Sequence, residues 1–167
     1  MKQLLDDIQR RLAAATLPDG SPLFAHVDVD WGQVDFCEGP PPVKFPCALI
    51  DLQSAEFSNL GQRAQVGRVA VQIRVVDMIL GRTSAGAPEA QREKAARVFD
   101  LLREAHRLLH GWTGTPALYG RLSRKAVARA RRRDGLHEYT LTFEAAVTDS
   151  SAQPQYVLAN LTPVVTA

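Results

Sequence analysis

Near the start of the chain, Leu4, Leu5, Ile8 and Leu12 recur at helical spacing, with Asp6, Asp7, Arg10 and Arg11 filling the other positions. That stripe predicts an amphipathic helix over residues 2–14, stopped by the turn signal Leu17-Pro18-Asp19-Gly20. The period then changes to two. Val27, Val29 and Trp31 alternate with His26, Asp28 and Asp30, as in a half-buried strand with an acidic outer face. After the loop Gly39-Pro40-Pro41-Pro42, residues 45–52 are apolar on both faces and predict a more central strand. Asn59-Leu60-Gly61 marks the next turn. Beyond it, Val69, Val71, Ile73 and Val75 point one way, and Arg68, Ala70, Gln72 and Arg74 the other.

A linker at residues 81–86 leads to Pro88, a residue suited to a first helical turn. Ala95, Val98, Leu102, Ala105 and Leu109 then form a core stripe, predicting a long helix over residues 88–110 that ends at Gly111. Two more strands flank Asp134-Gly135, a pair that favours a tight hairpin turn. The first, residues 119–131, is strongly basic. The second sets Tyr139, Leu141, Phe143, Ala145 and Val147 against Glu138, Thr140, Thr142 and Glu144. The order α-β-β-β-α-β-β predicts an α+β domain with two helices packed on a mostly antiparallel sheet. Residues 1–150 are expected to form one domain, and residues 151–167 a polar, uncharged tail with a short edge strand at 156–158.

Composition adds limits. The chain has 167 residues, 46% of them hydrophobic and 23% charged, which excludes a disordered chain, and its two cysteines exclude a disulfide-stapled fold. Neither the charged N-terminal helix nor the proline-containing C-terminal stretch matches a signal peptide or a membrane span, so a cytosolic protein with reduced Cys37 and Cys47 is expected. The net charge of +2 conceals a division: residues 1–60 hold four basic and nine acidic groups, and the rest hold 16 basic and nine acidic. Such asymmetry signals either a basic surface for nucleic acid or complementary patches that meet within or between subunits.

Reactive groups are sparse. Gly81 and Gly86 have the outer spacing of a phosphate loop, but Ala87-Pro88 stands where that loop needs Lys and Ser or Thr. No nucleophile elbow or CxxC motif is present. His26, Asp28 and Asp30 could share a strand face as metal ligands, yet a solvated acidic face is the simpler reading, and no metal or cofactor is expected. His106 and His110 lie one helical turn apart without the glutamate of a zinc-protease motif, at a helix end where they complement the dipole. The outstanding feature is the stretch 121–133, with seven basic residues and no acid. On a regular strand Arg121, Ser123, Lys125, Val127, Arg129 and Arg131 share one face, a ribbon that could bind phosphates, dock on an acidic partner, or simply guard an edge against aggregation.

The whole layout resembles the tail-terminator and tail-completion proteins of long-tailed bacteriophages and Mu-like prophages. The likeness rests on the Leu4-Leu5-Asp6-Asp7-Ile8 helix, Phe45-Pro46-Cys47-Ala48-Leu49-Ile50, the 69–76 strand, the long helix, the basic strand, and Glu138-Tyr139-Thr140-Leu141-Thr142-Phe143 with Asp149. The resemblance implies a small noncatalytic α+β subunit, made in the bacterial cytoplasm and carried in the virion tail. It further implies a ring, commonly sixfold, that caps the tail tube and joins it to the head. Its expected partners are its own copies and tube and head-joining proteins; the alternative is a nucleic-acid-binding module using residues 121–133. A head-to-tail ring needs two different complementary patches. Asp28, Asp30 and Asp35 on one side, and Arg121, Arg124, Lys125, Arg129 and Arg131 on the other, are the expected interface residues.

Overall fold

A computed structural model describes residues 1–35, 39, 41–61, 63–78 and 81–154. Cys37, Glu38, the edge strand expected at 156–158 and most of the expected tail lie outside the described residues. The order is α1 (Lys2–Ala13), β1 (His26–Val29), β2 (Cys47–Gly61), β3 (Ala64–Met78), α2 (Glu89–Leu109), β4 (Ser123–Ala130) and β5 (Leu136–Asp149). The strands form one five-stranded sheet in the order β1-β2-β3-β5-β4. Only β1 against β2 is parallel; the other neighbours run antiparallel. The fold is therefore the α+β arrangement that the periodicities predict.

Parity decides the two faces of the sheet. Val69, Val71, Ile73 and Val75 of β3 oppose Ala145, Phe143, Leu141 and Tyr139 of β5 on the inner face. Leu4, Ile8 and Leu12 of α1, with Leu101, Leu102, Ala105 and Leu109 of α2, close over them. These residues make the main core, and burying each large aliphatic side chain contributes on the order of 1.5–3 kcal/mol. The outer face carries a smaller cluster at one end only, where Val34, Cys47, Leu49, Val76 and Leu136 pack with Val43 and Phe45. Burial there pushes the Cys47 thiol up to about 12, so it stays protonated at neutral pH.

Three expectations need correction. The expected alternation of β1 fails at its end: Val29, the last residue of the strand, is exposed, the chain turns at Gly32 with φ of 89°, and Trp31 is 65% exposed. The turn at 59–61 is strand instead, since β2 runs to Gly61 and pairs with β3 to Ala64. From Ser54 to Gly61 β2 is exposed on both faces, so no burial pattern marks it; the ladder to β3 sustains it. Finally, the basic strand is shorter than expected, because Tyr119 and Leu122 are buried under the helices and the strand starts only at Ser123.

One buried polar network fastens the loop after α2 to α1. Asp7 accepts hydrogen bonds from Tyr119 Oη (2.8 Å), Thr115 Oγ1 (2.7 Å) and Gln3 Nε2 (2.7 Å). Burial opposes its charge, but those bonds and nearby Arg10 outweigh it and hold the carboxyl below its ordinary range. The Gly114 N–H in turn donates to Tyr119 Oη at 3.0 Å. A Cβ at Gly114 would lie 2.4 Å from that oxygen and 2.7 Å from Asp7 Oδ2. Gly114→Ala should therefore cost about 1–3 kcal/mol through overpacking, read as a lowered midpoint in urea unfolding; an unchanged midpoint would contradict this packing.

Candidate functional site

Asp28, Asp30 and Asp35 do not form a common acidic surface. Asp28 stays on β1, with its Oδ2 3.7 Å from His26 Nε2. Asp30 turns beneath the sheet's outer face instead, because its backbone N–H extends the parallel ladder to the Ile50 carbonyl and its side chain meets Arg74 at 2.7 Å. The same guanidinium reaches Asp35 at 2.8 Å and Glu138 at 2.9 Å. Arg132, from the basic stretch, closes the ring by donating to Asp35, Glu138 and the Val34 carbonyl, at 2.8, 2.8 and 2.6 Å.

This cluster is largely out of water: side-chain exposure is 14% at Arg74, 8% at Asp30 and 6% at Glu138. The alternation of β3 and β5 assigns Arg74 and Glu138 to solvent; the 30–35 loop covers them. The hydrogen bonds from Arg74, followed by those from Arg132, hold the Asp35 carboxyl below its ordinary value against some desolvation. Both arginines are pushed further toward permanent charge despite burial. The acidic N-terminal part and the basic C-terminal part thus already meet inside one chain at these positions.

The pairing register also changes the basic strand. Ser123 opposes Glu144 and Arg124 opposes Phe143, but Ala126 opposes Thr142, so Lys125 is the extra residue of a β-bulge. Arg124, Val127 and Arg129 share the helix side with Phe143, Leu141 and Tyr139. Lys125 Nζ instead lies 3.8 Å from Glu144 on the outer side. The expected single-faced ribbon is therefore divided between two faces. Arg121, Arg124, Lys125, Arg129 and Arg131 are all exposed.

The two borders of the sheet differ in charge. β1 pairs with β2 only from Cys47 to Ile50, so the rest of β2 has no strand on its outer side among the described residues. That long strand carries Asp51 and Glu56 and no Lys or Arg. At the opposite border β4 carries Arg124, Lys125 and Arg129 and no acid. Unpaired strands of this kind are templates for adding another strand. The sequence pattern alone missed the β2 border, because its exposed half lacks apolar alternation.

No group of three or more His, Cys, Asp or Glu side chains gathers as a metal site among the described residues. Asp30 points to Arg74 and so leaves the exposed strand face that His26 and Asp28 share. Among the described residues no helix is long and apolar enough to cross a membrane. No protein-family model matches the chain, and no curated protein matches it. Among solved structures, a chain from the virion of a native gene transfer agent particle is similar in fold. The TM-score is 0.52 at 15% identity, over 87% of this chain and 95% of that one.

Two predictions arise from this geometry. Arg74→Met leaves Asp30 and Glu138 short of their shared cation and should cost about 3 kcal/mol in chemical unfolding. Arg131→Met, which breaks no ion pair among the described residues, should change stability by less than about 0.5 kcal/mol. Equal effects would contradict the central place of Arg74. At the end of α2, burial lowers the pKa of His106 from its ordinary 6.5, and Arg124 and His110 lower it further. The unfolded chain then takes up a proton first, so this group withdraws stability as the pH falls through about 6.5. In an NMR titration, Arg124→Gln should raise the His106 midpoint; no movement would remove Arg124 as a cause.

Proposed function

We propose that the chain is a noncatalytic structural subunit of a phage-like particle, specifically a tail terminator or completion protein. Copies close head to tail into a ring that caps the tail tube and presents a surface to the head. The observation that carries this reading is the pair of unlike sheet borders, acidic along β2 and basic along β4. A heterologous ring requires two such different surfaces on each subunit, and the charges suit them to one another. The fold shared with a virion chain over nearly the whole length of both supports it, as does the likeness of the element order to tail-terminator proteins.

In this reading Asp28, Arg121, Arg124, Lys125, Arg129 and Arg131 act at the contact between copies. Asp30 and Asp35 contribute from behind, by holding the 30–35 loop in place through Arg74 and Arg132. The host cytoplasm during assembly and the virion tail afterwards are the corresponding locations. The nucleic-acid reading loses support from the bulge at Lys125, which removes the continuous row of cations that a phosphate backbone would follow.

Reversing charge at Lys125 and Arg131 tests the ring. The doubly substituted protein should need about tenfold more protein to assemble than the unmodified chain, since like charges across an interface oppose it. Sedimentation velocity and native mass spectrometry read the effect. Adding Asp51→Lys and Glu56→Lys to the same protein should restore assembly. A mass distribution unaffected by either change would overturn the interface.

A further inference from the structure

Between the first half of α2, the 81–84 linker and the β4–β5 border lies an open groove of about 820 Å³. Its cationic lining consists of Arg82, Arg92 and Arg129, beside His137, whose pKa burial and Arg129 hold below its ordinary 6.5; among the described residues no acid lines it. Arg82, Arg92 and Arg129 form no ion pair among the described residues, whereas neighbouring Arg97 is held by Asp77. Three guanidiniums thus surround one concavity with their charge unmatched. An anion entering the concavity would meet complementary charge.

The floor is apolar. Ala95 and Ala96 continue the α2 surface, and Phe99 meets Tyr139 edge to face with ring centroids 5.6 Å apart. Phe99 is 56% exposed on a helix whose other outward positions are polar or small. The Arg129 guanidinium lies over the Tyr139 ring, 6.0 Å from its centroid. Thr83 and Ser84 place hydroxyls on the rim. Arginine and aromatic side chains meeting in a concavity are the usual anchors of protein recognition.

We propose that this groove docks an acidic peptide segment of a partner protein, one with a bulky apolar side chain beside its carboxylates. The carboxylates match the guanidinium fork geometry, and the apolar side chain covers Phe99. A nucleic-acid strand suits the groove less well. Its bases need free ring faces, while Tyr139 already meets Phe99 on its edge and Arg129 over its ring. The cations also converge on one concavity and do not form a track. This docking shares Arg129 with the proposed contact between copies but needs no second copy of the chain, and its test rests on Arg92 and Phe99, which that contact does not use.

The test uses the full chain and fluorescence anisotropy with three labelled probes: a peptide of alternating Glu and Leu with one Tyr, the same peptide with Gln for Glu, and a short single-stranded DNA. The Glu peptide should bind, and the Gln peptide should bind at least about tenfold more weakly. Arg92→Glu and, separately, Phe99→Ser should each weaken the Glu peptide about tenfold while leaving the melting temperature and sedimentation profile unchanged. Both residues lie outside the strand borders, so failure here is separable from failure of the ring. Equal binding of the two peptides, tighter binding of the DNA, or indifference to both substitutions would overturn the proposal. Loss of assembly in Phe99→Ser would also overturn it, by giving the groove to a second copy.

Discussion

The outer face of the sheet depends on a single guanidinium. Arg74 projects from the middle strand β3 and binds Asp30, Asp35 and Glu138, which come from the loop after β1 and from β5. Without a cation there, the carboxylates of Asp30 and Glu138 would share a mostly dry site, and their mutual repulsion would lift the loop. With it, the loop lies flat, and Val34 is brought over Cys47, Leu49, Val76 and Leu136. A small apolar patch too thin to fold alone is thereby sealed by a charged one. Arg132 reinforces the seal from the β4–β5 connection, so the loop is also tied to the tip of that hairpin.

The inner face needs no such device. Two amphipathic helices supply enough leucine, isoleucine and valine to cover it, and the Asp7–Tyr119–Gly114 contacts only fix how the loop after α2 crosses α1. The molecule is a two-layer structure with a hydrophobic side and an electrostatically closed side. Surface remains for other molecules at the unlike borders and, on the helix side, in the cationic groove.

How much of this was legible in the sequence depended on whether a residue's burial followed its periodicity. Both helices, β3 and β5 were readable because Leu4, Ile8 and Leu12, or Val69, Val71, Ile73 and Val75, lie where a period of 3.6 or 2 puts them. Gly135, with φ of 80°, occupies the turn that Asp-Gly announced. Arg74 and Glu138 defeated the same logic: parity names the face of a sheet but cannot show that a loop 39 residues away in sequence covers that face. Trp31 failed because a strand's last residue is set by a turn, not by hydrophobicity. Lys125 failed because a bulge inserts one residue and inverts every assignment on one side of it. The exposed half of β2 has no burial signal and was knowable only through its partner strand. Among the expected site residues, the chemistry of each charge was legible; its partner was not.

The strand order β1-β2-β3-β5-β4 turns a difference along the chain into one across the molecule. Because the acidic strand comes early and the basic one late, and each stands at or near its own border, the sheet has a chemically distinct left and right. Two molecules joined through a twofold axis at a single border would set acid against acid or base against base. Each border thus meets its own charge in a like-to-like contact and the opposite charge in an unlike one.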